Sequence, residues 1–195
     1  MLPLPFLSST FLGLVLAQPA PEPPVLGYFR DRQFALRPLM GVKGAFVAGE
    51  AIGSDVSAFA WNGKRLVIVQ KGAWREWRNS AWQDLALPAL DGEPLAIQIV
   101  RDELWAVLRR DHTLVLLRCR PDSNRPKTAE RELRDVAAPV LITPRGELLH
   151  DPSWAHAQLE WIGADWIHAR AGASDVAIHH PSGEFWDLPQ LEESP

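Results

Sequence analysis

One cysteine in 195 residues excludes an intramolecular disulfide, so packing rather than cross-links must hold this chain together. Cys119 follows the apolar run 114–117, where a buried, inert thiol is expected. Positive charge is also short. Twenty Lys and Arg stand against 24 Asp and Glu, giving a net charge of -4, and the basic residues are scattered along the chain. Neutralising phosphates needs a concentrated basic face, so nucleic acid is excluded as a partner. No helix-period pattern runs longer than about a turn. The GxSxG elbow, HExxH, P-loop, GxGxxG and EF-hand signatures are missing, as is any Asn-x-Ser/Thr sequon. No cofactor or metal is called for by motif.

What the chain does contain is Trp, nine against a single Tyr, in a composition that is 47% hydrophobic. Disorder is therefore not expected. Trp serves both sheet cores and stacking sites, and the count alone does not choose between them.

The organising stretch is 57–87, which reads as four strands at 57–61, 65–70, 73–77 and 81–87. Asn62-Gly63 and Lys71-Gly72 supply glycine where a tight hairpin needs a positive φ, and Asn79-Ser80 is a weaker turn signal. The rest of the chain reads as imperfect copies of this antiparallel meander. A second copy runs through 95–100, 103–108 and 113–117, its fourth strand delayed by a polar loop to 131–136. Residues 140–143 and 147–150 form a further hairpin, broken by Asp151-Pro152-Ser153. A last copy occupies 157–162, 165–169, 175–179 and 184–188, and residues 25–49 hold another strand pair or two. The turns at Asn62-Gly63 and Arg101-Asp102 lie about forty residues apart, the period of a four-stranded propeller blade.

Three runs, 66–69, 104–108 and 114–117, are continuously apolar. A strand wet on one side alternates, so these strands must be covered on both faces. Blades stacked between neighbours provide that environment. The expected fold is all-β, a propeller-like array of about three to four antiparallel four-stranded meanders. A β-sandwich is the alternative. Either the N-terminal strands complete the ring, or the fan is open and its edges invite self-association or a partner chain.

The ends read differently. Residues 2–16 are apolar apart from Ser8, Ser9 and Thr10, and Val15-Leu16-Ala17 is a pattern that signal peptidase accepts. Residues 1–17 are therefore expected to be a signal peptide, with a retained anchor as the alternative because no Lys or Arg precedes the apolar run. Residues 18–24 form a proline-rich leader, 25–189 one domain, and 190–195 an acidic tail. The expected location is secreted or periplasmic, with no stable membrane span after cleavage.

Gly27-Tyr-Phe-Arg-Asp31, the segment 36–44, the meander 57–87 and the closing 184–189 together resemble secreted bacterial proteins of acidobacterial type built from β-propeller-like repeats. The resemblance implies a fold and export, and it carries no catalytic residues.

Three groups stand out as candidate sites. Trp74, Trp77 and Trp82 with Arg75 and Arg78 form a possible ligand platform for sugar rings or a peptide, although Trp74 and Trp77, three apart on a strand, face opposite ways. Glu160, Asp165 and Asp187 flank Trp161, Trp166 and Trp186, in the manner of a glycoside-hydrolase subsite. His179-His180, with His168, His150, His156, Asp165 and Asp175 nearby in sequence, is the metal candidate. Adjacent strand residues point to opposite faces, so a surface hairpin tip is the plainer expectation there. The functional expectation is a non-catalytic module for a protein or glycan ligand, the alternatives being a carbohydrate-active enzyme and an assembly component completed by a partner chain.

Overall fold

The structure, a computed structural model, describes residues 23–42, 45–121, 127–134, 136, 139–163 and 165–188. The expected signal peptide, most of the leader and the acidic tail lie outside the described residues. The described chain is all-β apart from one 3-10 turn at Pro152–Trp154. Strands pair antiparallel with their neighbours in sequence, giving five sheets. The first holds β1 (Val25–Arg30), β2 (Leu36–Val42) and β3 (Ala45–Ala48). The second holds β4 (Val56–Trp61), β5 (Leu66–Gln70), β6 (Ala73–Arg78) and β7 (Ala81–Asp84). The third comprises β8 (Glu93–Val100), β9 (Glu103–Arg110), β10 (Thr113–Arg120) and β11 (Lys127–Leu133). A two-stranded fourth pairs β12 (Val140–Ile142) with β13 (Leu148–His150). The last contains β14 (Gln158–Trp161), β15 (Trp166–Ala171), β16 (Ser174–His179) and β17 (Phe185–Asp187).

Five hydrophobic clusters hold the sheets together, and each cluster is one interface between neighbours. Leu36 meets Val56, Phe59, Leu66 and Ile68 between the first two sheets. Val67, Val69 and Trp74 meet Ile97, Leu104, Ala106 and Leu108 between the second and third. Ala96, Val107 and Leu116 meet Val140 and Ile142, and Leu141 meets Leu159, Trp161 and Ile167. The circle closes where Phe29 and Leu39 of the first sheet pack on Ile162, Ala177 and Leu188 of the last. On β5, Leu66 and Ile68 enter one cluster while Val67 and Val69 enter the other, so the continuous apolar run is indeed covered on both faces. Tryptophan fills these same wedges: every Trp except Trp186 lies in or against one of the five clusters.

The strands β4, β8, β12 and β14 line the axis and run the same way. One axial cavity touches their starting residues Val56, Pro94, Val140 and Gln158, and a smaller space beyond it touches Ala58, Ile97, Leu141 and Glu160. This is a four-bladed propeller arrangement, one blade being only a hairpin. The N-terminal strands do complete the ring, but not as a regular blade. The Tyr28 amide donates to the Ile162 carbonyl at 3.0 Å, while Arg30 pairs with Glu160, so β1 runs opposite to β14. The approach is close: a Cβ on Gly27 would lie 2.0 Å from the Ile162 carbonyl oxygen.

Several strands depart from their expected bounds, β7 and β11 among them. β7 stops at Asp84, and Leu85, Leu87 and Leu90 turn in to pack on the interface with the third sheet. β11 begins at Lys127 rather than Arg131, because pairing with β10 from Arg120↔Lys127 to Leu114↔Leu133 continues the meander. Its polar Thr-Ala-Glu-Arg-Glu sequence is exposed along the outermost edge of the sheet, where apolar patterning fades.

Candidate functional site

Where the four axial strands begin, the wedge-shaped blades leave a cavity of about 710 Å³. Ser57, Leu95, Val140, Gln158 and Leu159 form its wall, and Phe34, Asp55, Glu93 and Arg109 stand around its mouth. Beneath it the space narrows to about 10 Å³ between Phe59, Ala96, Leu141 and Trp161, no more than a single water fills. The cavity is therefore a blind funnel rather than a channel.

Its charges are largely committed. Arg30 pairs with Glu160 and donates to the carbonyls of Val56, at 3.1 Å, and Ser57. Arg109 donates to Glu93 at 2.5 and 2.9 Å. What remains is a neutral hydrogen-bonding wall, Ser57 and Gln158, with Asp55 at the rim. Phe34 is an exposed aromatic held in a left-handed conformation, φ +59°, which a bulky residue rarely adopts. The buried Asp31 braces the turn that presents it. Its carboxylate accepts from the amides of Gln33 and Ala35, at 2.9 and 2.8 Å, and pairs with Arg37 at 2.7 Å. The Val56 amide donates to the Phe34 carbonyl at 2.9 Å, tying that turn to β4.

Beside the funnel, a charged network fastens the first sheet to the last. Glu160 and His168 are direct cross-strand partners, with His168 Nδ1 3.7 Å from the Glu160 carboxylate and Nε2 2.8 Å from Asp175. Arg170 pairs with Asp175 at 2.7 Å and donates to the Arg30 carbonyl. Arg32 reaches the same Asp175 at 2.9 Å. Burial pushes Glu160 up, but the Arg30 charge and the His168 hydrogen bond outweigh it and hold the carboxyl at about 2. Burial favours neutral His168, yet its bonds to Asp175 and Glu160 raise its pKa. Burial is likewise overcome at Asp175, whose bonds to His168, Arg170 and Arg32 put it below the usual carboxylate range. His168 is only 2% exposed, and the network around it fastens the first sheet to the last.

The structure does not gather the five residues of the expected platform on one surface. Trp74 is 1% exposed, in the interface with the third sheet. Trp77 and Trp82 are cross-strand partners in edge-to-face contact at 4.9 Å, packed on the opposite face against the first sheet. Arg75 pairs with Asp84 and Arg78 with the buried Glu76. Glu160, Asp165 and Asp187 are dispersed as well. Glu160 belongs to the fastening, Asp165 is exposed in the turn after β14, and Asp187 is exposed on β17, three strands and roughly 14 Å from β14. His179 bonds Ser182 at 2.8 Å, and the His180 ring lies tilted against Trp161 with centroids 5.4 Å apart. Among the described residues no group of three His, Cys, Asp or Glu is placed to hold a metal. Cys119 is buried, and that burial pushes its thiol up to about 11.

No protein-family model matches this chain, and no curated protein matches it. Two solved structures are similar in arrangement. One is the extracellular domain of a one component system from B. thetaiotaomicron, with 10% identity and a TM-score of 0.38; the other is that of a hybrid two component system from B. thetaiotaomicron, with 11% identity and a TM-score of 0.36. In each case 90% of this chain is covered but only 23% of the other, so the chain spans about a quarter of their length. A likeness of that size carries nothing about ligands or location to this chain, and none of the comparisons points to acidobacterial-type proteins. No helix among the described residues is long and apolar enough to cross a membrane.

Proposed function

We propose that this protein is an exported, non-catalytic binding module that holds a small neutral oligosaccharide in the axial funnel. The observation that carries the reading is the blind cavity itself, of a size that ordinary ligand sites have, opening where four strands from four sheets converge. Its nearest charges are already paired, so an ionic ligand would meet no free counter-charge except Asp55, whereas hydroxyls suit Ser57, Gln158 and Asp55. Phe34 offers a ring face on which a pyranose can stack. Export rests on residues 1–17, which end in the Val15-Leu16-Ala17 pattern.

Calorimetric titration with gluco- and manno-oligosaccharides of two to four units tests this. The expected result is saturable binding that Phe34→Ala weakens about tenfold without changing the melting temperature. Absence of binding at millimolar sugar, or equal binding by the variant, overturns the reading.

A further inference from the structure

At the other end of β8 from the funnel, roughly 20 Å along the strand, lies a second cleft of about 740 Å³ between the third sheet and the β12–β13 hairpin. Its lining contrasts with the chain as a whole. Arg101, Arg118, Arg120 and Arg145 converge there against only two carboxylates, Asp102 and Glu103, on a protein whose net charge is -4.

The arrangement is built rather than incidental. Arg118 lies over the Trp105 ring at 4.5 Å, and Trp105 stands opposite it on β9. The Trp105 indole donates to Glu103 at 3.1 Å, and Glu103 in turn receives Arg118 at 3.2 Å and Arg120 at 2.7 Å. One carboxylate thus orients two guanidinium groups, each of which has five donors and uses one of them here. Arg101 and Arg145 approach from the β8–β9 and β12–β13 turns, and neither side chain makes an ion pair among the described residues. Gly146 packs against the Trp105 ring edge, which brings Arg145 beside the cluster from the neighbouring blade.

We propose that this cleft binds a multiply charged anion, with sulfate, phosphate or carboxylate groups bridging the oriented pair Arg118 and Arg120 to the uncommitted pair Arg101 and Arg145. Planar guanidinium forks recognise such groups bidentately, and four of them, three from the third sheet and Arg145 from the neighbouring blade, match a ligand carrying at least two such groups. The funnel, with its charges internally paired, takes no part.

The experiment is calorimetry at low and physiological salt with two probes, tripolyphosphate and trigalacturonic acid, on three forms of the protein. Arg101→Asn/Arg145→Ala removes the two uncommitted cations, Asn being tolerated at the positive φ of position 101. Lys64→Ala/Lys71→Asn removes the same charge from the two ends of the second sheet instead. The expected result is binding of at least one probe, weakened tenfold or more by the arginine pair and less than twofold by the lysine pair, with unchanged melting temperatures. Preference for tripolyphosphate identifies a phosphate or sulfate ligand, and preference for the uronate an acidic sugar. If neither probe binds, or if both double variants lose affinity equally, the proposal fails.

Discussion

Replacing Glu160 with Gln tests how the ring is closed. Glutamine keeps the shape and some hydrogen bonding but removes the charge that faces Arg30 and His168. The Glu160 carboxyl sits at about 2 against an ordinary 4.5, so its ionised form favours the folded state by on the order of 3 kcal/mol at neutral pH. A similar loss is expected from stranding a buried cation without its partner, about 3–5 kcal/mol. The sign follows from the depressed pKa: this stabilisation is complete above about pH 4.5 and disappears as the pH falls towards 2. Urea unfolding followed by Trp fluorescence suits the assay, because tryptophans sit in or against all five interfaces. Glu160→Gln should lose on the order of 3 kcal/mol at pH 7 and less than about 1 kcal/mol near pH 2, with a shallower acid limb. A loss under about 0.5 kcal/mol at pH 7, or an equal loss at both pH values, refutes the fastening described above.

The wild-type protein should be most stable near pH 5–6, since His168, with a raised pKa, contributes stability that is lost as the pH rises through that pKa, and the carboxylates lose theirs in acid; a urea midpoint series across pH checks it. Gly27→Ala should cost on the order of 1–3 kcal/mol or more, because backbone rather than a flexible side chain occupies the space, and a chemical melt reads it. Trp74→Ala should cost about 3–5 kcal/mol as a core truncation, whereas a solvent-facing platform residue would cost under about 0.5 kcal/mol. Cys119 should resist a thiol reagent at pH 8 until the protein is unfolded, and rapid labelling in native buffer would contradict its burial.

Much of the fold is written locally. Turns at Asn62-Gly63 and Lys71-Gly72 cut the strands, and runs such as 66–69 announce two covered faces because both alternating sets are apolar. The pairing of Glu160 with His168 was one register step away: a two-residue turn at 163–164 sets position 160 opposite 167, whereas the observed register sets it opposite His168. Grouping residues by chemistry instead set Glu160 with Asp165 and Asp187, and His168 with the other histidines. The Arg30 partner was beyond such reasoning, since 130 residues separate it from Glu160 and no local pattern encodes that contact. The funnel and the arginine cleft share this property, as each is assembled from several sheets whose arrangement only packing decides. Arg118 over Trp105 is a register fact of one hairpin, while Arg145 arrives from another blade.

The inserted first sheet has a consequence for the order of events as the protein is made. Strand β1 finds its amide acceptor at Ile162 and its counter-charge at Glu160, both on segments synthesised long after it. A chain emerging N-terminus first can therefore seat β2 on the second sheet early through Leu36, while β1 lacks these partners until the final blade exists. Bringing ends so far apart together is slow relative to forming the hairpins between them. Through that interval Phe29 and Leu39, whose partners Ile162, Ala177 and Leu188 come last, stay uncovered, and theirs is the surface a holding chaperone would meet.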